Sequence, residues 1–163
     1  MLLTCFFQVG ICLFRTEFLS LVEAAFCLVE FTLKQVVYTL VVLAGCMIIF
    51  TQELVDAYPN AIMNVHPALI PSFCGPGYYG LKVHEEALKY GVKLSGATVH
   101  FVEADVDGGA IIMQHTVEVL PDDKPEDLQA RILKEEHKML PECVKLLCQG
   151  KVQKQGRIVK ILD

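Results

Sequence analysis

Residues Val36 to Leu43 read VVYTLVVL, and no other stretch restricts the fold of this chain so tightly. β-Branched and aromatic residues favour extended backbone. The run is nearly continuous rather than alternating, so it leaves neither face to water. That is the pattern of a strand covered on both sides within a parallel sheet. It stops at Ala44-Gly45.

Downstream, strands and helices alternate. Gln52 to Tyr58 suits a short helix with Thr51 as N-cap, and Pro59-Asn60 is a turn. Ala61 to Val65 reads as a second buried strand, stopped by Pro67. Pro67 to Gly80 is a loop rich in proline and glycine, and an irregular segment of that length in a compact domain is usually functional. Val83 to Tyr90 is helical and closes at Gly91. Gly96 to Glu103 alternates like a strand, Asp105 to Gly109 turns, and Ala110 to Val119 resumes strand character. A helix starts at Pro125, with Glu126 and Asp127 in its first turn. It runs to about Gln149 and is expected to break at Pro141. Val152 to Leu162 forms a hairpin around Gln155-Gly156. The alternation predicts an α/β domain.

The first 34 residues differ. They are rich in Phe, Leu and Cys and poor in turn signals, and Met1 to Phe14 is almost wholly apolar. That run is too short to cross a bilayer as a helix, and no positive side chain precedes it as in a signal peptide. Two segments are therefore expected: a divergent apolar 1–34 and a folded domain 35–163. The net charge of -5 opposes a general nucleic-acid binder. Neither nucleic acid nor membrane is an expected partner. Cys5, Cys12, Cys27, Cys46, Cys74, Cys143 and Cys148 are scattered, with no CxxC pair. Reduced thiols in a cytoplasmic protein are expected, without a zinc site.

Asn64 and His66 leave the second buried strand two residues apart, so extended backbone projects them to one side. An amide and an imidazole are the groups that surround a carbonyl oxygen turning negative under attack. Asp107 lies beyond the next strand in the turn before Gly108-Gly109. A carboxylate beside His66 is expected to raise the imidazole pKa and favour its cation. Taken singly, a histidine after a strand is often structural and Asp-Gly is often a plain turn. Gly75-Pro76-Gly77-Tyr78-Tyr79-Gly80 spells GxGxxG, but it lies in a loop well after the strand and Pro76 has no N–H for a phosphate, so no dinucleotide site is expected.

The ordered motifs carry a resemblance. Asn64-Val65-His66-Pro67-Ala68-Leu69-Ile70-Pro71 is similar to the Asn-x-His-Pro-Ser-Leu-Leu-Pro signature of folate-dependent formyltransferases. Leu43 to Met47 resembles that family's pterin loop, and Gly96 to Val102 with Asp107 to Ile112 resembles its strand and aspartate loop. Ser72 to His84 looks like the longer loop of some bacterial glycinamide ribonucleotide formyltransferases, and Arg131 to His137 resembles the helix that meets the ribose.

The resemblance implies a Rossmann-like mixed sheet flanked by helices, N-terminally truncated or altered. It implies formyl transfer from 10-formyltetrahydrofolate to the amine of glycinamide ribonucleotide in purine synthesis, with no metal. Asn64, His66 and Asp107 would be catalytic. Met47, Ile48, Ile49, Phe50, Asn64 and Glu103, Ala104, Asp105, Val106, Asp107 would line the folate site. Glu136 would bind ribose, and His84 would lie near the substrate. The alternatives are a formyltetrahydrofolate hydrolase or a non-catalytic folate-binding fragment; a methionyl-tRNA enzyme would want an added basic domain. The family's Ser/Gly/Asn-rich phosphate loop has no counterpart before residue 36, an absence expected to impair activity. Residues 1–34 are expected either to cover the sheet edge this exposes or to leave apolar surface that favours self-association.

Overall fold

A computed structural model describes residues 4–6, 11–16, 25–33, 36–46 and 48–163, with side chains from residue 39 onward apart from residue 47. A sheet runs in the order β1 (Thr4–Phe6), β2 (Ile11–Thr16), β3 (Ala25–Leu33), β4 (Val36–Ala44), β5 (Ile62–His66), β6 (Leu94–Phe101) and β7 (Ile111–Glu118). The β4–β5 pair is parallel and the others are antiparallel. The expected mixed α/β sheet is present. The expectation of a parallel setting for β4 holds only on its β5 side, because β3 pairs antiparallel along its whole other edge. The strand edge expected to lie open is thus paired.

β4 is covered on both faces, as its sequence requires. Leu40 and Val42 enter a core with Met63, Val99, Leu128, Ile132 and Met139. Val41 and Leu43 turn to the opposite side with Ile62, under Phe50 and Tyr58. Each fully buried aliphatic side chain contributes about 1.5 to 3 kcal/mol.

The helices are α1 (Gln52–Ala57), α2 (Leu81–Tyr90) and α3 (Pro125–Cys148). Thr51 takes the N-cap position of α1 in extended backbone without a side-chain cap bond. Asn60 turns at φ 55, as the Pro59-Asn60 pair suggested. Helix α2 starts two residues earlier than expected and ends at Gly91 in the left-handed conformation, its N–H returned to Ala87 and Leu88.

The expected break of α3 at Pro141 does not occur, and one helix runs through it. Proline there removes one main-chain bond. Buried Met139 on one side and Cys143 and Val144 on the other keep the two halves packed in register. β8 (Val152–Gln155) and β9 (Ile158–Ile161) form the expected hairpin as a separate two-stranded sheet.

Candidate active site

Because β4 and β5 are parallel, their C-terminal ends open on the same side of the sheet, where α/β proteins place their ligands. A cleft of about 550 Å³ lies there. Ile48, Ile49 and Phe50 leave β4 along one wall, and Asn64 and His66 leave β5 at its floor. The Glu103 to Asp107 loop between β6 and β7 forms a second wall. Gly75 to Gly80 and His84 form a third, and Gln129, Leu133 and Glu136 of α3 close it. Every described residue that the sequence assigned to the site borders this cleft; Met47 lies outside the described residues.

His66 is buried, with Nε2 donating to the Phe73 carbonyl at 2.8 Å and Nδ1 3.6 Å from Asp107 Oδ2. Asp107 stands at φ 55 and accepts the Gly75 N–H at 2.8 Å. The loop after His66 thus supplies a main-chain partner to two of the catalytic candidates, His66 and Asp107. That loop is itself pinned. Thr98, fully buried on β6, donates to Ala68 O at 2.6 Å and accepts the Ile70 N–H at 3.1 Å. Gln114 of β7 adds bonds to Ile70 O and to the Thr98 hydroxyl.

A residue given no role from sequence joins the floor. His100 of β6 donates Nδ1–H to the Phe101 carbonyl at 2.8 Å. Its Nε2 lies 3.5 Å from Asn64 Nδ2 and 3.6 Å from Asp107 Oδ1, between the two polar side chains. An imidazole near the end of a buried strand, facing the Asp107 turn in sequence, was the signal available. Asn64 Oδ1 and His84 Nδ1 are buried without a hydrogen-bond partner among the described residues. Buried polar atoms are rarely left so, and both belong to cleft residues.

The charge states correct one expectation. Burial pulls the His66 imidazole below its ordinary pKa; the Asp107 charge and the Phe73 carbonyl oppose that shift but do not overcome it. His66 therefore rests neutral at pH 7 rather than as the cation expected from sequence. Burial pushes the Asp107 carboxyl up, but His100, His66 and the Gly75 N–H together hold it below the usual carboxylate value. His84 is driven down to about 4 by burial and by its neighbour His66. Burial raises Glu136, partly offset by His137. Arg131, in the segment resembling the ribose helix, instead grips both carboxylate oxygens of Asp123 and the Glu118 carbonyl, bracing the turn before α3.

The sequence model described as formyl transferase matches residues 29–144. This chain belongs to the formyl transferase family. It is 45% identical over 113 residues to the chloroplastic phosphoribosylglycinamide formyltransferase of Arabidopsis thaliana, covering 69% of this chain and 39% of that protein. Among solved structures it is similar to glycinamide ribonucleotide transformylase 1 from Symbiobacterium toebii, at 46% identity and a TM-score of 0.67, covering 73% of this chain and 54% of that one. The phosphoribosylglycinamide formyltransferase of Anaplasma phagocytophilum follows at 42% identity and a TM-score of 0.70, covering 76% and 59%. The chain thus spans between about two fifths and three fifths of the length of these formyl transferases. Among the described residues no group of His, Cys, Asp or Glu is placed to hold a metal ion, and no helix is long and apolar enough to cross a membrane.

Proposed function

We propose that the cleft binds 10-formyltetrahydrofolate and that Asn64, His66 and Asp107 promote transfer of its formyl group to the amine of glycinamide ribonucleotide. The observation that carries this reading is the convergence of the three side chains on the floor of one cleft. The substrate amine attacks the formyl carbon, a new C–N bond forms, and the carbonyl oxygen becomes an oxyanion. An Asn64 amide has two N–H groups, so one facing His100 leaves the second for that oxyanion. Its unpartnered Oδ1 would orient the attacking amine.

A neutral His66 carries a lone pair on Nδ1, because Nε2–H is spent on Phe73. It can take the proton the amine must lose. The resulting cation stands 3.6 Å from an ionised Asp107, which stabilises it. That proton then passes to the folate nitrogen as the C–N bond to the donor breaks. Ile48, Ile49, Phe50 and the Glu103 to Asp107 loop would hold the folate, and Glu136 and His84 would face the nucleotide. Glu136, with its raised pKa, would receive ribose hydroxyls. We assign this role to residues 35–163 as one domain.

The test is formyl transfer by the purified chain, with 5-formyltetrahydrofolate and glycinamide ribonucleotide also titrated separately. Transfer that His66→Ala abolishes supports the reading. The partial span of the relatives favours a second reading, a folate-binding fragment, for which folate binding without nucleotide binding or transfer would be the mark.

A further inference from the structure

The hairpin β8–β9 lies beyond the residues that the family model matches, yet it reaches back to the wall that carries Asp107. Its inner face is set by strand alternation: Val152 and Val159 pack on the main core, and Lys154, paired with Val159, shares their side. Lys154 Nζ donates to Glu103 Oε1 at 2.8 Å and to Asn60 Oδ1 at 3.0 Å, and lies 5.8 Å above the Phe101 ring. From the turn of the hairpin, Arg157 Nη1 donates to the Gly108 carbonyl at 2.8 Å. The hairpin thus holds the first residue of the loop and the residue just after Asp107.

The loop between those points is sterically exacting. Asp107 occupies the left-handed region, and Gly108 N–H returns to Asp105 O at 3.0 Å. A Cβ on Gly109 would collide with the Phe101 carbonyl. A turn this tight transmits displacement, so a shift at Gly108 moves the adjacent carboxylate. Nothing else described bonds the Gly108 carbonyl.

We propose that Lys154 and Arg157 are positioning residues, and that the hairpin is a clamp setting where the Asp107 carboxylate stands against His66 and His100. The formyl-transfer reading supplies the purpose of this clamp, but the clamp can be tested without it. Asp107, His100 and His84 are the titratable groups facing His66, and only Asp107 supports its cation.

The experiment follows His66 by NMR pH titration of imidazole-labelled full chain without ligand, in the wild type, Arg157→Ala, Lys154→Ala and a control, Lys160→Ala, on the outer face of β9. Arg157→Ala is expected to lower the His66 titration midpoint by about half a pH unit, as the carboxylate drifts away. Arg157→Lys recovers part of that shift, and Lys160→Ala leaves it unchanged. Lys154→Ala weakens 5-formyltetrahydrofolate binding roughly threefold to tenfold, because Glu103 is released from the folate wall. The clamp is overturned if Arg157→Ala titrates as wild type while the fold persists by circular dichroism. It is also overturned if the shift appears equally in Lys160→Ala. A wild-type chain that binds no folate would remove the functional reading while the His66 midpoints still decide the clamp.

Discussion

The two loops that carry the proposed catalytic residues are held in opposite ways. The loop after His66 is tied down from beneath, by Thr98 and Gln114 reaching from the sheet to its backbone. The loop around Asp107 is tied from outside, by Lys154 and Arg157 of the hairpin, and from within by glycines that admit no side chain. Buried neutral hydrogen bonds resist salt and solvent, whereas half-exposed charged ones are screened. The difference implies a rigid imidazole facing a carboxylate whose position can be tuned.

The comparison is most sharply tested at the two proposed catalytic side chains. His66→Ala and Asp107→Asn should each cut formyl transfer by about 10²- to 10⁴-fold while leaving 5-formyltetrahydrofolate affinity within a few-fold. Unequal losses in the kcat and KM terms would show which loop also shapes the folate pocket. Gly109→Ala, which drives a methyl into the Phe101 carbonyl, should destabilise the chain by about 3 kcal/mol or more in urea unfolding. A normal midpoint in that variant would show that the Asp107 loop yields easily to an added side chain.

Acid titration offers a third break point. His84 titrates near 4 in the folded chain, against an ordinary imidazole value of 6.5. Between those limits the unfolded chain binds more protons, so stability is full above about pH 6.5 and falls towards pH 4. The contribution at stake is about 3 kcal/mol, and His84→Gln should flatten the unfolding midpoint across that window. His66, shifted in the same direction, adds to the same trend. Smallest is Thr98→Val, expected to cost roughly 2 kcal/mol by stranding Ala68 O and the Ile70 N–H. Amide exchange localised to 67–75 in that variant would confirm that the tether acts on the His66 loop.

Much of this arrangement was legible in the chain itself. The Val36 to Leu43 run required two-sided burial, which Leu40 to Leu43 display, and Asn64 with His66 at alternate strand positions required a shared side, which the cleft displays. The missed features are those that depend on contacts between distant segments. The continuity of α3 through Pro141 rests on packing against the sheet, which local propensity does not encode. The neutral state of His66 is a contest between burial and Asp107, and sequence displays the carboxylate but not the depth. Lys154 and Arg157 were given no role from sequence. Their partners, Glu103 and the Gly108 carbonyl, lie about fifty residues upstream in sequence.

The most direct test uses the five histidines, of which His66, His84 and His100 surround the cleft floor while His115 and His137 stand outside it. Titrating 5-formyltetrahydrofolate into the imidazole-labelled chain should move the first three resonances together, saturably, and leave the other two in place. No saturable movement, or movement of His115 and His137 to the same extent, would contradict the assignment of this cleft to formyl-folate.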